Sequence, residues 1–247
     1  MSESKIISEP EVIYESPDFV AVNKPAGLLM HETAVSKKSD IKEKTLAGWA
    51  ANKYPEILSV GDDPETRPGI VHRLDKETSG VVLIPRNQKY FEYLKSLFQN
   101  HTVKKTYLAL VKGRVKNESG AIDKPIGLKP GTVKRVVGGR RMKDIKEAIT
   151  EYRVKSRFEI NGKEYTLIEA TPLTGRTHQI RVHLTSIGRP VVGDKLYGGE
   201  DSFLNPRRQL LHADSIEFPV ASGKMLKISA DMPEDFKEVV SKLTRVD

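Results

Sequence analysis

Four stretches of the 247-residue chain hold more polar functionality than a core needs: His72-Arg73-Leu74-Asp75-Lys76-Glu77-Thr78-Ser79-Gly80, Lys104-Lys105-Thr106-Tyr107, Thr174-Gly175-Arg176-Thr177-His178-Gln179-Ile180-Arg181 and Val192-Gly193-Asp194-Lys195-Leu196-Tyr197-Gly198. The first sets the Asp75 carboxylate among cations, in a loop that runs into the apolar stretch Val81-Val82-Leu83-Ile84. A rigid strand end is a good place from which to aim a loop residue. An ionised Asp so placed can act as a nucleophile or as a base. On these grounds alone an Asp that caps a turn or pairs with an arginine would look the same. Tyr107, in an apolar strand, reads by itself as core. His178 and His183 lie five residues apart on an expected helix, about 140° between faces, so they are not expected to grip one metal ion.

The elements that must position these residues are legible from periodicity. Val12 to Tyr14 and Phe19 to Val22 read as short strands around a Ser16-Pro17-Asp18 turn, and Val81 to Ile84 as a strand covered on both faces. Thr45 caps a short helix stopped by Pro55, and Asn87 caps an amphipathic helix carrying Tyr90, Phe91, Leu94, Leu97 and Phe98. From Ile149 to Ile160 the pattern has period two: Tyr152, Val154, Phe158 and Ile160 are expected on one face, with Glu151, Arg153, Lys155, Arg157 and Glu159 on the other. Asn161-Gly162 is the favoured hairpin turn and predicts a return strand to Ala170. A helix is expected over Thr177 to Ile187, strands around Ser215 to Phe218 and Met225 to Ala230, and a last helix from Pro233. Strands in hairpins outnumber helices, which favours an α+β fold with a mixed or antiparallel central sheet over a doubly wound parallel one.

Composition narrows the classes further. There is no cysteine, which excludes disulfides, thiolate catalysis and cysteine zinc sites. The longest apolar run, Tyr107 to Val111, is far short of a spanning helix, and the start lacks a signal-peptide stretch, so a cytoplasmic protein with no membrane partner is expected. The 41 Lys and Arg exceed the 33 Asp and Glu by eight, a modest excess that fits a polyanionic partner such as RNA. Lys134, Arg135, Arg140, Arg141, Lys143 and Lys146 face one acid, Asp144, around a Gly pair, and are expected to form an RNA-gripping loop; Lys37, Lys38, Lys42 and Lys44 are further phosphate candidates.

Read together, GIVHRLDKETSGVVL, KKTYLALV, LTGRTHQIRVHL, RPVVGDKLYG and LLHA, in that order and preceded by YESPDFVAVNKPAGLLMH, resemble the RluA-type family of RNA pseudouridine synthases. The match runs from about Val12 to near the C-terminus. The sister group that carries Gly in place of the His of HRLD is less similar.

The resemblance implies the pseudouridine synthase catalytic fold, a mixed sheet with flanking helices and a cleft, and isomerisation of uridine in ribosomal or transfer RNA without a cofactor or metal. It makes Asp75 the catalytic carboxylate, Arg181 its guanidinium partner with Arg176 as a rival, and Tyr107 the residue stacked on the uracil and available for its C5 proton. Arg73 matches the arginine that fills the space of the extruded base, and a phosphate contact is the open alternative. Lys104, Lys105 and Arg176 join Lys134, Arg135, Arg140 and Arg141 as RNA-binding residues. Leu211 falls at an apolar pocket position that a core leucine would fill equally well, and His72 is placed there as a hydrogen-bonded residue of the loop. One catalytic domain is expected over 12–247, behind a polar extension over 1–11 and without an accessory RNA-binding domain, acting as a monomer with no DNA partner. A catalytically weak RNA-binding or ribosome-assembly protein on the same scaffold is the alternative. An RNA hydrolase built on His72 and Asp75 fails for want of a second well-placed acid or base.

Overall fold

The computed structural model describes residues 8–32, 44–138 and 142–247. The chain forms two compact units, Met1–Val103 with Ser215–Asp231, and Lys104–Asp214 with Met232–Asp247.

In the first unit, β1 (Glu11–Glu15), β2 (Phe19–Lys24) and β3 (Ser79–Pro85) pair antiparallel with β2 in the middle. The Ser16 hydroxyl closes the β1–β2 turn by accepting from the Phe19 amide at 3.1 Å. The predicted caps are in place. Thr45 accepts from the Gly48 amide at the start of α1 (Leu46–Lys53), and Asn87 accepts from the Tyr90 amide at the start of α2 (Gln88–Gln99). The apolar stripe of α2 places Tyr90 and Leu94 against Phe19, Val81 and Leu83. Ile216 and Phe218 of β11 (Leu211–Pro219) and Ile228 of β12 (Met225–Ser229) complete that core, the two strands pairing antiparallel from Ser215 onward.

The second unit is built on β4 (Lys104–Lys112), β10 (Lys163–Pro172) and β9 (Ile149–Ile160), antiparallel with β10 in the middle. Asn161 and Gly162 turn the β9–β10 hairpin with φ of 50° and 71°, the left-handed pair that this turn requires. β5 (Ser119–Asp123) and β13 (Thr244–Arg245) both pair with β9. One sheet face packs Ala109, Ile168 and Val154 against Ile180 and Leu184 of α3 (Gln179–Ser186). The other packs Leu110, Tyr165 and Phe158 against Phe236 and Val239 of α4 (Glu234–Ser241), whose N-cap is Pro233.

The period-two reading of β9 needs a correction. Leu167 faces Ser156 and Ile168 faces Val154, so Lys155 is a bulge residue. One extra residue reverses every following side chain. Tyr152 and Val154 therefore pack on the α3 face while Phe158 and Ile160 join the α4 face. Arg157, expected outside, is 6% exposed; its Nε donates to Val115 O at 3.0 Å and its guanidinium pairs with Glu118 and Asp247.

The basic segment from Lys134 is not the expected loop. It forms β7 (Arg135–Val137) and β8 (Lys143–Lys146), both antiparallel to β6 (Ile126–Leu128) in a small three-stranded sheet. These strands carry almost no apolar alternation to announce them. Tertiary packing holds them, through Ile126 and Val137 against Ala148, Val182, Leu196 and Tyr197. Arg140 and Arg141 lie outside the described residues, as do Lys37, Lys38 and Lys42. The fold is α+β. No helix among the described residues is long and apolar enough to cross a membrane.

Candidate active site

Asp75 sits in the loop that enters β3, half-buried, at the start of a turn closed by the Thr78 amide on its carbonyl at 3.1 Å. Anchors hold this loop from both sides. His72 points its ring at the strand: Nε2 accepts from the Leu83 amide at 2.9 Å, and the ring stacks on Phe98 at 4.7 Å between centroids. Accepting at Nε2 fixes the proton on Nδ1 of a neutral ring, so the imidazole acts here as a structural hydrogen-bonding group. On the other side Lys24, at the end of β2 and fully buried, donates from Nζ to the carbonyls of Pro25 at 2.9 Å, Leu28 at 2.9 Å and Lys76 at 3.1 Å. The Gly27 amide adds a bond to the same Lys76 carbonyl at 2.8 Å. A buried ammonium must place its donors on acceptors, and here it ties the segment after β2 to the residue next to Asp75. Sequence reading left Lys24 unassigned because a lysine at a strand end is normally solvated. Arg73 is exposed.

In the second unit the Thr174 to Arg181 motif explains itself bond by bond. Gln179 is buried and uses its whole amide: Oε1 accepts from Thr174 Oγ1 at 2.7 Å and from the Arg176 amide at 2.9 Å, while Nε2 donates to Ile149 O at 2.9 Å and Thr150 Oγ1 at 3.0 Å. The loop is thereby locked to β9 just before α3 begins. Arg176 reaches back to Glu147 O at 3.0 Å through Nε. His178 enters the helix in the left-handed conformation, with Nδ1 3.0 Å from the Tyr197 hydroxyl. His183 lies on another face, between Thr150 Oγ1 at 2.9 Å and Lys124 O at 3.0 Å. The two imidazoles thus serve separate partners.

Arg181 is 7% exposed and points inward from α3. Its Nε donates to Asp194 Oδ2 at 2.7 Å and its Nη2 to Asp194 Oδ1 at 2.9 Å, a bidentate pair whose acid is 1% exposed. Asp194 Oδ1 also accepts from the amides of Leu196 at 3.0 Å and Tyr197 at 3.1 Å, so the turn itself orients the carboxylate. Gly193 makes that turn possible, with φ of 82° and a Cβ that would run into the Arg208 carbonyl. The Tyr197 ring lies 5.0 Å from the Arg181 guanidinium carbon, and its hydroxyl accepts from the Arg135 amide of β7 at 2.9 Å. One tyrosine therefore touches both the Arg181 helix and the small basic sheet. The sequence marked this segment as rich in functionality; a separation of 13 residues could not reveal that Asp194 holds Arg181.

Tyr107, on β4 opposite Ala170, and Leu211 belong to one apolar cluster with Ile180, the neighbour of Arg181. Lys104 is exposed at the strand's start. Lys105 is half-buried, and burial holds its ammonium below the ordinary lysine value. Of the basic sheet, Lys134, Lys143 and Lys146 are exposed and Arg135 is half-buried.

Comparison with known proteins agrees with these motifs. A family model described as RNA pseudouridylate synthase matches residues 18–186. An uncharacterized RNA pseudouridine synthase of Aquifex aeolicus is 39% identical over 239 residues, spanning 93% of this chain and 72% of that protein. Ribosomal large subunit pseudouridine synthase D of Xanthomonas campestris pv. campestris is 35% identical over 247 residues, covering 94% and 69%. The solved structure of human RNA pseudouridylate synthase domain containing 1 superposes with a TM-score of 0.74 at 25% identity, over 96% of this chain and 89% of that one. A motif order that spans separate elements, a matching family model and relatives above 30% identity converge: the chain belongs to the RNA pseudouridylate synthase family, as an RluA-type isomerase.

Proposed function

We propose that this enzyme isomerises uridine in large-subunit ribosomal RNA, with Asp75 as the carboxylate that attacks C1′ or starts an elimination at the sugar. The observation that carries this reading is that the family match over 18–186 takes in Asp75, Tyr107 and Arg181 together. Relatives named for the ribosomal large subunit favour that RNA over transfer RNA. The reaction is redox-neutral: the N1–C1′ bond breaks, the uracil turns, C5 bonds to C1′, and the C5 proton is lost while N1 gains one. Arg181 balances the charge of the reacting carboxylate, and its bidentate hold by Asp194 supplies the fixed geometry that an electrostatic role requires. Tyr107 stacks on the uracil and serves the C5 proton, and Leu211 lines the pocket. A stacked uridine must first leave its helix, an extrusion costing a few kcal/mol, and Arg73 either fills the space it vacates or contacts a phosphate beside it. Lys104, Lys105, Arg176 and the small basic sheet with Lys134 and Arg135 hold the RNA backbone. Arg140 and Arg141 extend the same basic segment. The protein acts as a single catalytic domain, a monomer in the cytoplasm.

Pseudouridine mapping of total RNA from cells with and without the gene tests the choice of target. Loss of one or more sites in large-subunit ribosomal RNA is expected. Loss confined to transfer RNA would overturn the target while leaving the chemistry in place.

A further inference from the structure

Two connecting segments of the first unit, the one after β2 and the one before β3, bring Asp63, Arg67 and Arg73 within electrostatic reach of His31, and of these residues only Arg73 has a role described so far. His31 follows the segment tied down by Lys24; its neighbours are fixed, with Leu29 O and Met30 O accepting from the amides of Leu46 at 2.8 Å and Ala47 at 2.9 Å. Its Nδ1 is buried and has no hydrogen-bond partner. Buried polar atoms are almost always paired, and one that is not calls for an explanation. Arg67 and Arg73, both exposed, lie near enough to act electrostatically on the His31 ring. Burial first, and then the positive fields of Arg73 and Arg67, hold that ring below the ordinary histidine value, with Asp63 opposing them. Asp63 is itself engaged: its carboxylate accepts from the Thr66 hydroxyl and its carbonyl from the Arg67 amide at 3.0 Å, which shapes the loop carrying Arg67. Among the described residues neither arginine makes an ion pair.

We propose that His31, Arg67 and Arg73 form a phosphate-binding cluster that holds a phosphodiester of the RNA beside the nucleotide presented to Asp75. The inference rests on the reading of Asp75 as the catalytic carboxylate, two residues from Arg73. Two guanidinium groups with forked donors and an imidazole suit the tetrahedral oxygens of a phosphodiester, and an anion there offsets the positive fields of Arg73 and Arg67 at the His31 ring. Arg73 is thereby assigned a backbone contact.

The test measures binding of unmodified, transcribed large-subunit ribosomal RNA across a salt series for the wild type, Arg67→Gln, His31→Ala and Lys227→Gln. Lys227 is an exposed lysine of the same unit and controls for simple loss of charge. Removing one phosphate contact lowers the slope of log K against log salt by about 0.7 and weakens binding about fivefold at 0.1 M salt. That change is expected for Arg67→Gln and not for Lys227→Gln, with weaker binding also for His31→Ala. Arg67→Gln indistinguishable from Lys227→Gln would overturn the proposal. Binding is read without turnover, so a wild type that binds this RNA but forms no pseudouridine in it would count against the proposed function and leave the cluster standing.

Discussion

The Arg181–Asp194 pair shows why a strong charge is tolerated inside the second unit. Two buried ions are costly to desolvate, and a bidentate geometry with the remaining lone pairs bonded is what offsets the cost. Here the Leu196 and Tyr197 amides supply those extra bonds. Asp194→Ala removes the counter-charge and strands both amides, so a loss of about 3–5 kcal/mol is expected in a denaturant titration, together with a fall in turnover. Asp194→Asn keeps an acceptor for the amides and should lose less stability, yet it too should slow the reaction, because it no longer balances the guanidinium. Equal turnover in Asp194→Asn and the wild type would show that the pair serves the fold alone. Asp75, Arg181 and Tyr107 were visible as candidates from residue type and motif order. Lys24 and Asp194, which anchor their surroundings, were not: their meaning lies in distances that close only on folding.

Among the elements, the β9–β10 hairpin was legible because its turn chemistry is local. Asn161 and Gly162 both adopt positive φ, and nothing lies within 4 Å of a Cβ added at Gly162. Gly162→Ala therefore meets backbone strain without a steric clash, and thermal unfolding should show a loss of about 1 kcal/mol. A loss much larger than this would mean that the turn is held by something other than its backbone preference. Two features of the same region escaped sequence reading for one reason. The bulge at Lys155, which turns Phe158 to the α4 face and buries Arg157, and the small sheet β6–β7–β8 are both set by tertiary packing. The small sheet leans on Tyr197, whose hydroxyl accepts from Arg135. Tyr197→Phe removes that acceptor at nearly constant volume, for an expected cost of about 1 kcal/mol, and should speed amide hydrogen exchange at Arg135.

For the molecule as a whole, acid sensitivity follows from two histidines. Burial is the main cause that lowers the His183 value, and burial with nearby arginines does the same for His31. A group whose folded pKa lies below its unfolded value takes up a proton more readily when unfolded. Its contribution is thus present above the ordinary histidine value of 6.5 and is lost as pH falls below it. Melting temperature should fall between about pH 7 and pH 5, and His183→Gln should flatten that slope; an unchanged slope would place the sensitivity elsewhere. At the same scale the net charge of +8 fits an RNA partner, and the fold and family that carry the chemistry were readable from motif order across the chain. What motif order cannot supply is the role of each group in the reaction, and the proposed chemistry turns on Asp75. The direct test is pseudouridine formation in large-subunit ribosomal RNA by wild type and Asp75→Asn, with RNA affinity measured alongside. Conversion by the wild type and none by Asp75→Asn at similar affinity is the expected outcome; conversion by purified Asp75→Asn would overturn the role proposed for this carboxylate.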